Sequence, residues 1–306
     1  MMSIDGLRGL RAHVFLLFGL VLMSGCASRG PVPPAATARP EQSDRKPDET
    51  AAAKPPETLE TSDAVLAMAL QAATRSRSCE TRVAVGDRYY ELRVLDRAGS
   101  YYGAAVEAGS GCAAGHDGLA RVWRDSGYLE RALASAHRST HADGTSAGAW
   151  NTLGTILQEL GQLREARTAY ERAARVDPTA AYAFSNLCYL AFLEADVPRG
   201  ESACLKAIEA DDDYVPARNN LGLLYAASGD TTRALAVFRE AAGSPAAHYN
   251  LGLVWLARRD YASALKAFEA AYAEDPSFDA AHARARDVRR LLNSEKLNDD
   301  DRRVRR

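Results

Sequence analysis

A spacing that returns along the chain constrains its fold more than any other feature. From Ala147 the chain reads AGAWNTLGTILQELGQLREARTAYERAARVDPTA. With Ala147 as the first place, Trp150 stands fourth, Leu153-Gly154 seventh and eighth, and Leu157 eleventh. Gly161 is fifteenth, Ala166 twentieth, Tyr170 twenty-fourth, Ala173 twenty-seventh and Pro178 thirty-second. A step of 34 residues finds Phe184, Leu187, Cys188, Gly200, Cys204 and Ala207 at the same places, and a second step finds Leu221-Gly222, Tyr225, Gly229, Ala234, Phe238 and Ala241. The next Leu-Gly pair, Leu251-Gly252, comes after 30 residues, followed by Trp255, Ala264, Phe268, Ala271 and Pro276. The missing stretch is about one helical turn, which predicts a shortened second helix in that unit. One step upstream of Ala147, Leu119, Trp123, Gly127, Ala132 and Ala136 fit. One step further, Leu92, Leu95, Gly99, Tyr101 and Ala104 fit only loosely.

Each residue type suits a pair of antiparallel helices. Trp150, Leu153 and Leu157 recur at helical spacing and bury one stripe. Small residues at Gly154, Ala166 and Ala173 allow two backbones to approach. Gly161 permits the turn, and Pro178 ends the second helix because it cannot donate into it. The pattern resembles the tetratricopeptide repeat (TPR) over 113–278 and thins over 85–112. The resemblance implies an all-α fold, a right-handed superhelical TPR solenoid of antiparallel helix pairs. Solenoids need covered ends, and Asp279 to Leu297 supplies a C-terminal capping helix, with a charged tail over 298–306.

The N-terminal region has a different character. Arg8 and Arg11 precede an apolar run from Val14 to Met23, which is too short to span a bilayer and reads as an export signal over 1–25. Leu22-Met23-Ser24-Gly25-Cys26 resembles the lipobox of bacterial lipoproteins, with Met23 where leucine is usual. The resemblance implies cleavage before Cys26 and acylation of that cysteine. Ala27, which is not an aspartate, implies an outer-membrane destination facing the periplasm. Several acyl chains anchor stably where one is marginal. Residues 26–60 are rich in proline and alanine, with almost no bulky apolar side chain, and predict a disordered tether. Residues 61–112 read as N-terminal helices with a degenerate repeat. Within them Asp63 offers a cap for a helix over 63–75, and CETRVAVGDRYYELRVLD is read as helix.

Four cysteines remain besides Cys26, an even number that suggests disulfides in an exported protein. Cys188 and Cys204 hold the eighth and twenty-fourth places of one unit, which face each other across its two helices. Cys79 with Cys112 follows by elimination, with buried free thiols as the alternative. No CxxC spacing recommends a metal. His137 and His141 share a helix face without an accompanying carboxylate motif, and the glycine-rich stretch from Gly109 to Gly118 does not follow a strand with a phosphate-loop pattern, so it reads as an inter-unit turn. No nucleophile–base set emerges and no cofactor is expected, so the chain reads as a non-enzyme. A net charge of −2 gives no reason to expect nucleic acid.

In such an array the first helix of each unit lines the concave surface. The sixth place is Asn186, Asn220 and Asn250 in successive units, with Asn151 and Asn219 one place earlier in theirs. An amide donates and accepts at once. The series resembles the asparagine ladder of some peptide-binding TPR proteins, which implies a groove for an extended peptide segment, although asparagine there could instead satisfy neighbouring helices. Tyr182, Tyr189, Phe192, Leu223, Tyr249, Leu253 and Leu256 are expected in the same groove. No lysine or arginine occupies these places in 147–278, which argues against a receptor for a C-terminal carboxylate. Two functions follow as expectations. One is a lipid-anchored adaptor resembling the TPR lipoproteins of pilus or secretin assembly. The other is an adaptor for cell-wall hydrolases or envelope polysaccharide machinery.

Overall fold

The computed structural model of the chain describes residues 59–109 and 111–304. Every regular element among them is helical: α1 (Leu59–Ser62), α2 (Ala64–Arg75), α3 (Cys79–Glu91), α4 (Leu95–Ala108), α5 (Ala113–Asp125), α6 (Leu129–Ala142), α7 (Ala147–Glu159), α8 (Leu163–Val176), α9 (Ala181–Glu194), α10 (Val197–Ala210), α11 (Val215–Ser228), α12 (Thr231–Ala242), α13 (Ser244–Ala257), α14 (Tyr261–Glu274) and α15 (Asp279–Val304). From α3 onward they pack as antiparallel pairs, and α15 covers the last pair with Ala281, Ala285 and Val288 buried. No described helix is long and apolar enough to cross a membrane. The export signal, Cys26 and the tether up to residue 58 lie outside the described residues. The last two tether positions, Leu59 and Glu60, belong to α1.

Local chemistry explains the punctuation. Within each pair the fifteenth place has positive φ: Arg93, Gly127, Gly161, Ala195, Gly229 and Arg259. Between units an aspartate at the thirty-first place accepts a hydrogen bond from the backbone N–H two residues on. This turn recurs as Asp143–Thr145, Asp177–Thr179, Asp211–Asp213 and Asp275–Ser277, at 2.8 to 3.0 Å. Asp63, Asp196, Asp230 and Asp260 cap the helices that follow them.

Three expectations need correction. First, the shortened unit loses more from its linker than from its helix. α12 has 12 residues where α10 and α14 have 14, but only Gly243 separates it from α13. Gly243 has φ 81° and ψ 173°, a conformation essentially closed to other residues. Second, α3 and α4 form a full pair in strict 34-residue register with the later units, which the loosely fitting residues did not follow. Gly86, Ala98, Tyr102 and Ala105 are the packing residues, all buried, in place of Gly99, Tyr101 and Ala104. Third, the glycine-rich stretch is not all turn, because α5 begins at Ala113 and contains Gly115 and Gly118. A Cβ at Gly118 would lie 2.3 Å from the Tyr102 ring, so glycine there serves close helix packing. The tail is likewise helical as far as Val304.

Two disulfides join the cysteines. Cys79 and Cys112 tie the start of α3 to the residue before α5, with Cα atoms 5.8 Å apart. Cys188 and Cys204 link α9 to α10 across 5.2 Å.

Candidate protein-binding face

The first helices of neighbouring pairs pack directly on one another, whereas second helices of neighbouring pairs make no comparable contact among the described residues. The ribbon therefore curves with α3, α5, α7, α9, α11 and α13 on its inner, concave side. The two ends of this face differ in chemistry.

Toward the C-terminus, α9, α11 and α13 are apolar around most of their circumference, as expected of helices buried on several sides. The asparagines here stitch units together. Asn186 Nδ2 donates to Asn151 Oδ1 at 2.7 Å, joining α9 to α7. Asn220 Nδ2 donates to the Ser185 carbonyl at 3.1 Å and to its Oγ at 3.0 Å, joining α11 to α9. Asn220 is only 5% exposed, so its placement as an open rung is corrected. Asn151, Asn186, Asn219 and Asn250 remain half-buried.

The aromatic residues divide in the same way. Tyr182 and Tyr189 are half-buried. Tyr182 packs in a cluster with Trp150, and Tyr189 lies 5.8 Å from Phe192 between ring centres. Burial raises both phenol pKa values, and for Tyr182 the neighbouring Asp177 and Asp117 add to the rise. Phe192, Leu223, Tyr249 and Leu253 are buried and belong to the core, contrary to expectation. Tyr249 sits between Phe268 and Phe278, with ring centres 5.3 and 5.0 Å away. The reason is geometric: a helix touched by its own partner and by both neighbouring first helices keeps only a narrow free strip.

Toward the N-terminus the face carries a network that the sequence reading missed. Arg121 donates through Nη2 to Asp87 Oδ1 at 2.8 Å and through Nε to Asp117 Oδ2 at 3.1 Å, and lies 4.8 Å over the Tyr90 ring. Arg124 donates through Nε and Nη2 to Asp125 Oδ1, at 3.0 and 2.8 Å, and through Nη1 to Thr155 Oγ1 at 3.2 Å. Tyr90 Oη and Arg93 Nη1 complete the shell around Asp125 Oδ2, at 2.8 and 2.7 Å. Burial pushes the Asp125 carboxyl up, but Arg124 and the donated hydrogen bonds outweigh it and hold the pKa below its ordinary value. Asp117, Arg121, Arg124 and Asp125 hold the fifth, ninth, twelfth and thirteenth places of their unit. Carrying the groove places upstream from Ala147 would have found them.

A separate recess of about 540 Å³ is lined by Val106, His116, His137, Arg138, His141 and Ala142. Among the described residues no three His, Cys, Asp or Glu side chains are placed to hold a metal ion.

Comparison with known proteins agrees with this architecture. Family models described as tetratricopeptide repeat match residues 147–180, 195–246 and 219–277. No curated protein matches the chain in sequence. Among solved structures, the chain is similar to pilF of Pseudomonas aeruginosa at 14% identity, covering 70% of this chain and 97% of that one with a TM-score of 0.55. It is similar to a tetratricopeptide repeat protein from Parabacteroides merdae at 15% identity, covering 73% and 90% with a TM-score of 0.53. It is also similar to the APC/C hetero-tetramer Cut9-Hcn1 at 15% identity and a TM-score of 0.59, covering 73% of this chain but 45% of that one. Identities this low speak to fold alone. The matched models are those of a repeat scaffold whose established use is protein–protein interaction.

Proposed function

We propose that this tetratricopeptide repeat protein is a lipid-anchored adaptor that holds an extended protein segment on its concave face and supports assembly of an envelope complex of the pilus or secretin kind. The observation that carries the proposal is the half-exposed strip where Asn151 and Asn186 pair, with Tyr182 and Tyr189 half-buried on α9. Amides there can bond a peptide backbone without reading its sequence, and the aromatic residues add apolar contact. Anchoring rests on the lipobox-like Leu22 to Cys26. The two disulfides suit an oxidising compartment such as the periplasm.

A photo-crosslinking amino acid placed at Tyr182 or at Leu205 tests the face. Leu205 lies on a second helix and is 52% exposed. In intact membranes a defined adduct is expected from position 182 and not from 205, and it should fade when Asn151 and Asn186 are both alanine. An adduct from 205 alone would remove the concave face from consideration. Cys26→Ser is expected to release the chain from the outer-membrane fraction or leave it uncleaved, and normal processing with unchanged partitioning would exclude the anchor.

A further inference from the structure

The two guanidinium groups at the concave places are already engaged within the protein. Arg121 is bonded to Asp87, Asp117 and the Tyr102 hydroxyl, and Arg124 to Asp125, Thr155 and the Tyr90 hydroxyl. An acidic ligand would have to displace carboxylates and hydroxyls that the chain itself supplies, and the α9–α13 end of the face offers no lysine or arginine at the concave places.

Acceptors, by contrast, are left over. Among the described residues, Asp117 Oδ1, Asn219 Oδ1 and Asn220 Oδ1 are buried and meet no donor. The orientation of the Asn220 amide is fixed, because the Ser185 carbonyl can face only its NH2 group. Its oxygen is therefore the atom without a partner. Glu159 Oε1 is held by Arg124 only at 3.9 Å, and burial raises that carboxyl's pKa. The charge count points the same way. Asp87, Asp117, Asp125 and Glu159 face Arg121, Arg124 and, from the adjoining turn, Arg93, leaving the network one negative charge in excess.

We propose that the segment received by the concave face is basic. It presents lysine or arginine side chains to Asp117 and Glu159 at the α5–α7 end of the face. The inference rests on the concave face being the binding surface and specifies the chemistry of what binds there. Opposite charge would also speed encounter and set the direction in which the segment lies.

The test uses the full chain in detergent and labelled peptides matched in length and leucine content, carrying lysine, glutamate or serine at alternate positions. The lysine peptide is expected to bind about tenfold more tightly than the serine peptide, with the difference shrinking as salt is raised. Asp117→Asn with Glu159→Gln should bring the two peptides to parity in a chain whose helical circular dichroism is retained. If the double variant fails to fold, Glu159→Gln alone should remove part of the preference. Equal binding of the lysine and serine peptides to the native chain overturns the inference, as does a preference that survives loss of both carboxylates. Preference for the glutamate peptide, still lost on Asn151→Ala with Asn186→Ala, overturns the basic partner but leaves the concave surface standing. Binding that ignores every concave substitution, or no binding by any peptide, removes the surface and the inference together.

Discussion

Four helix pairs place a ring where a glycine leaves room for it. A Cβ built on Gly86, Gly154, Gly222 or Gly252 would approach the ring of Tyr102, Tyr170, Phe238 or Phe268 to 2.6, 2.5, 2.5 and 2.7 Å respectively. The ring is fully buried in each case and cannot withdraw. Gly154→Ala is therefore expected to cost about 1–3 kcal/mol, measured by denaturant unfolding. Tyr170→Leu in the same chain should recover part of the loss. At the same two places α9 and α10 carry the Cys188–Cys204 disulfide, and α5 and α6 carry Ala120 and Ala136, both buried. Thus one pair of positions is filled in three chemically different ways. Asn220 is a structural residue by the same kind of argument. Asn220→Ala leaves the buried Ser185 carbonyl without that donor and is expected to lower stability by about 1–3 kcal/mol, while partner affinity should fall far less than with Asn151→Ala and Asn186→Ala.

At the scale of the element, the turn within each pair requires a left-handed residue, and half of the units do not supply glycine. Ala195 sits at φ 60°, where an L residue pays for the close approach of its Cβ to the following carbonyl. Ala195→Gly relieves this contact at a smaller cost in unfolded-chain entropy, and a rise in stability of about 0.5–1 kcal/mol is expected on thermal melting. The α3–α5–α7 network adds a pH dependence. Because the folded Asp125 carboxyl titrates below its ordinary value of 3.8, its contribution is present above the unfolded pKa and is lost as pH falls through the folded one. The difference in unfolding free energy between the native chain and Asp125→Asn should be constant near neutrality and shrink below about pH 4. A gap that stays constant through acid would show that Asp125 acts by shape alone.

For the whole molecule, stability is distributed pair by pair, because each unit touches mainly its neighbours. The disulfides bear on this directly. Cys188–Cys204 closes 16 residues inside one unit, and Cys79–Cys112 closes 33 at the N-terminal end. Cys188→Ala with Cys204→Ala reproduces the arrangement of Ala120 and Ala136, so the helices should still pair, with a loss of about 3 kcal/mol from the freed chain entropy. Hydrogen exchange should then show faster opening of α9 and α10 than of α13 and α14. Uniform loss of protection along the array would mean that the solenoid unfolds as one cooperative unit.

The sequence alone determined the repeat, its helix pairs and its closing helix. Residues at the seventh, eighth, twentieth and twenty-fourth places act through local spacing and volume, which are legible one unit at a time. The register of α3 and α4 is legible in the spacing, since two steps of 34 back from Gly154 and Tyr170 reach Gly86 and Tyr102, and packing of Tyr102 against Gly86 and Gly118 bears that choice out over the adjacent Tyr101. The short linker at Gly243 was hidden, since a count of missing residues does not say whether helix or turn gives them up. The binding face depended most on tertiary structure. A side chain's place in its helix gives the direction in which it points, but how much of it stays exposed depends on how closely the next unit approaches. That approach buried Asn220, Phe192 and Tyr249 and left Asn151, Asn186 and Tyr182 half-exposed. It also brought Arg121 and Arg124 against acidic partners from α3 and α7, contacts that no local pattern encodes.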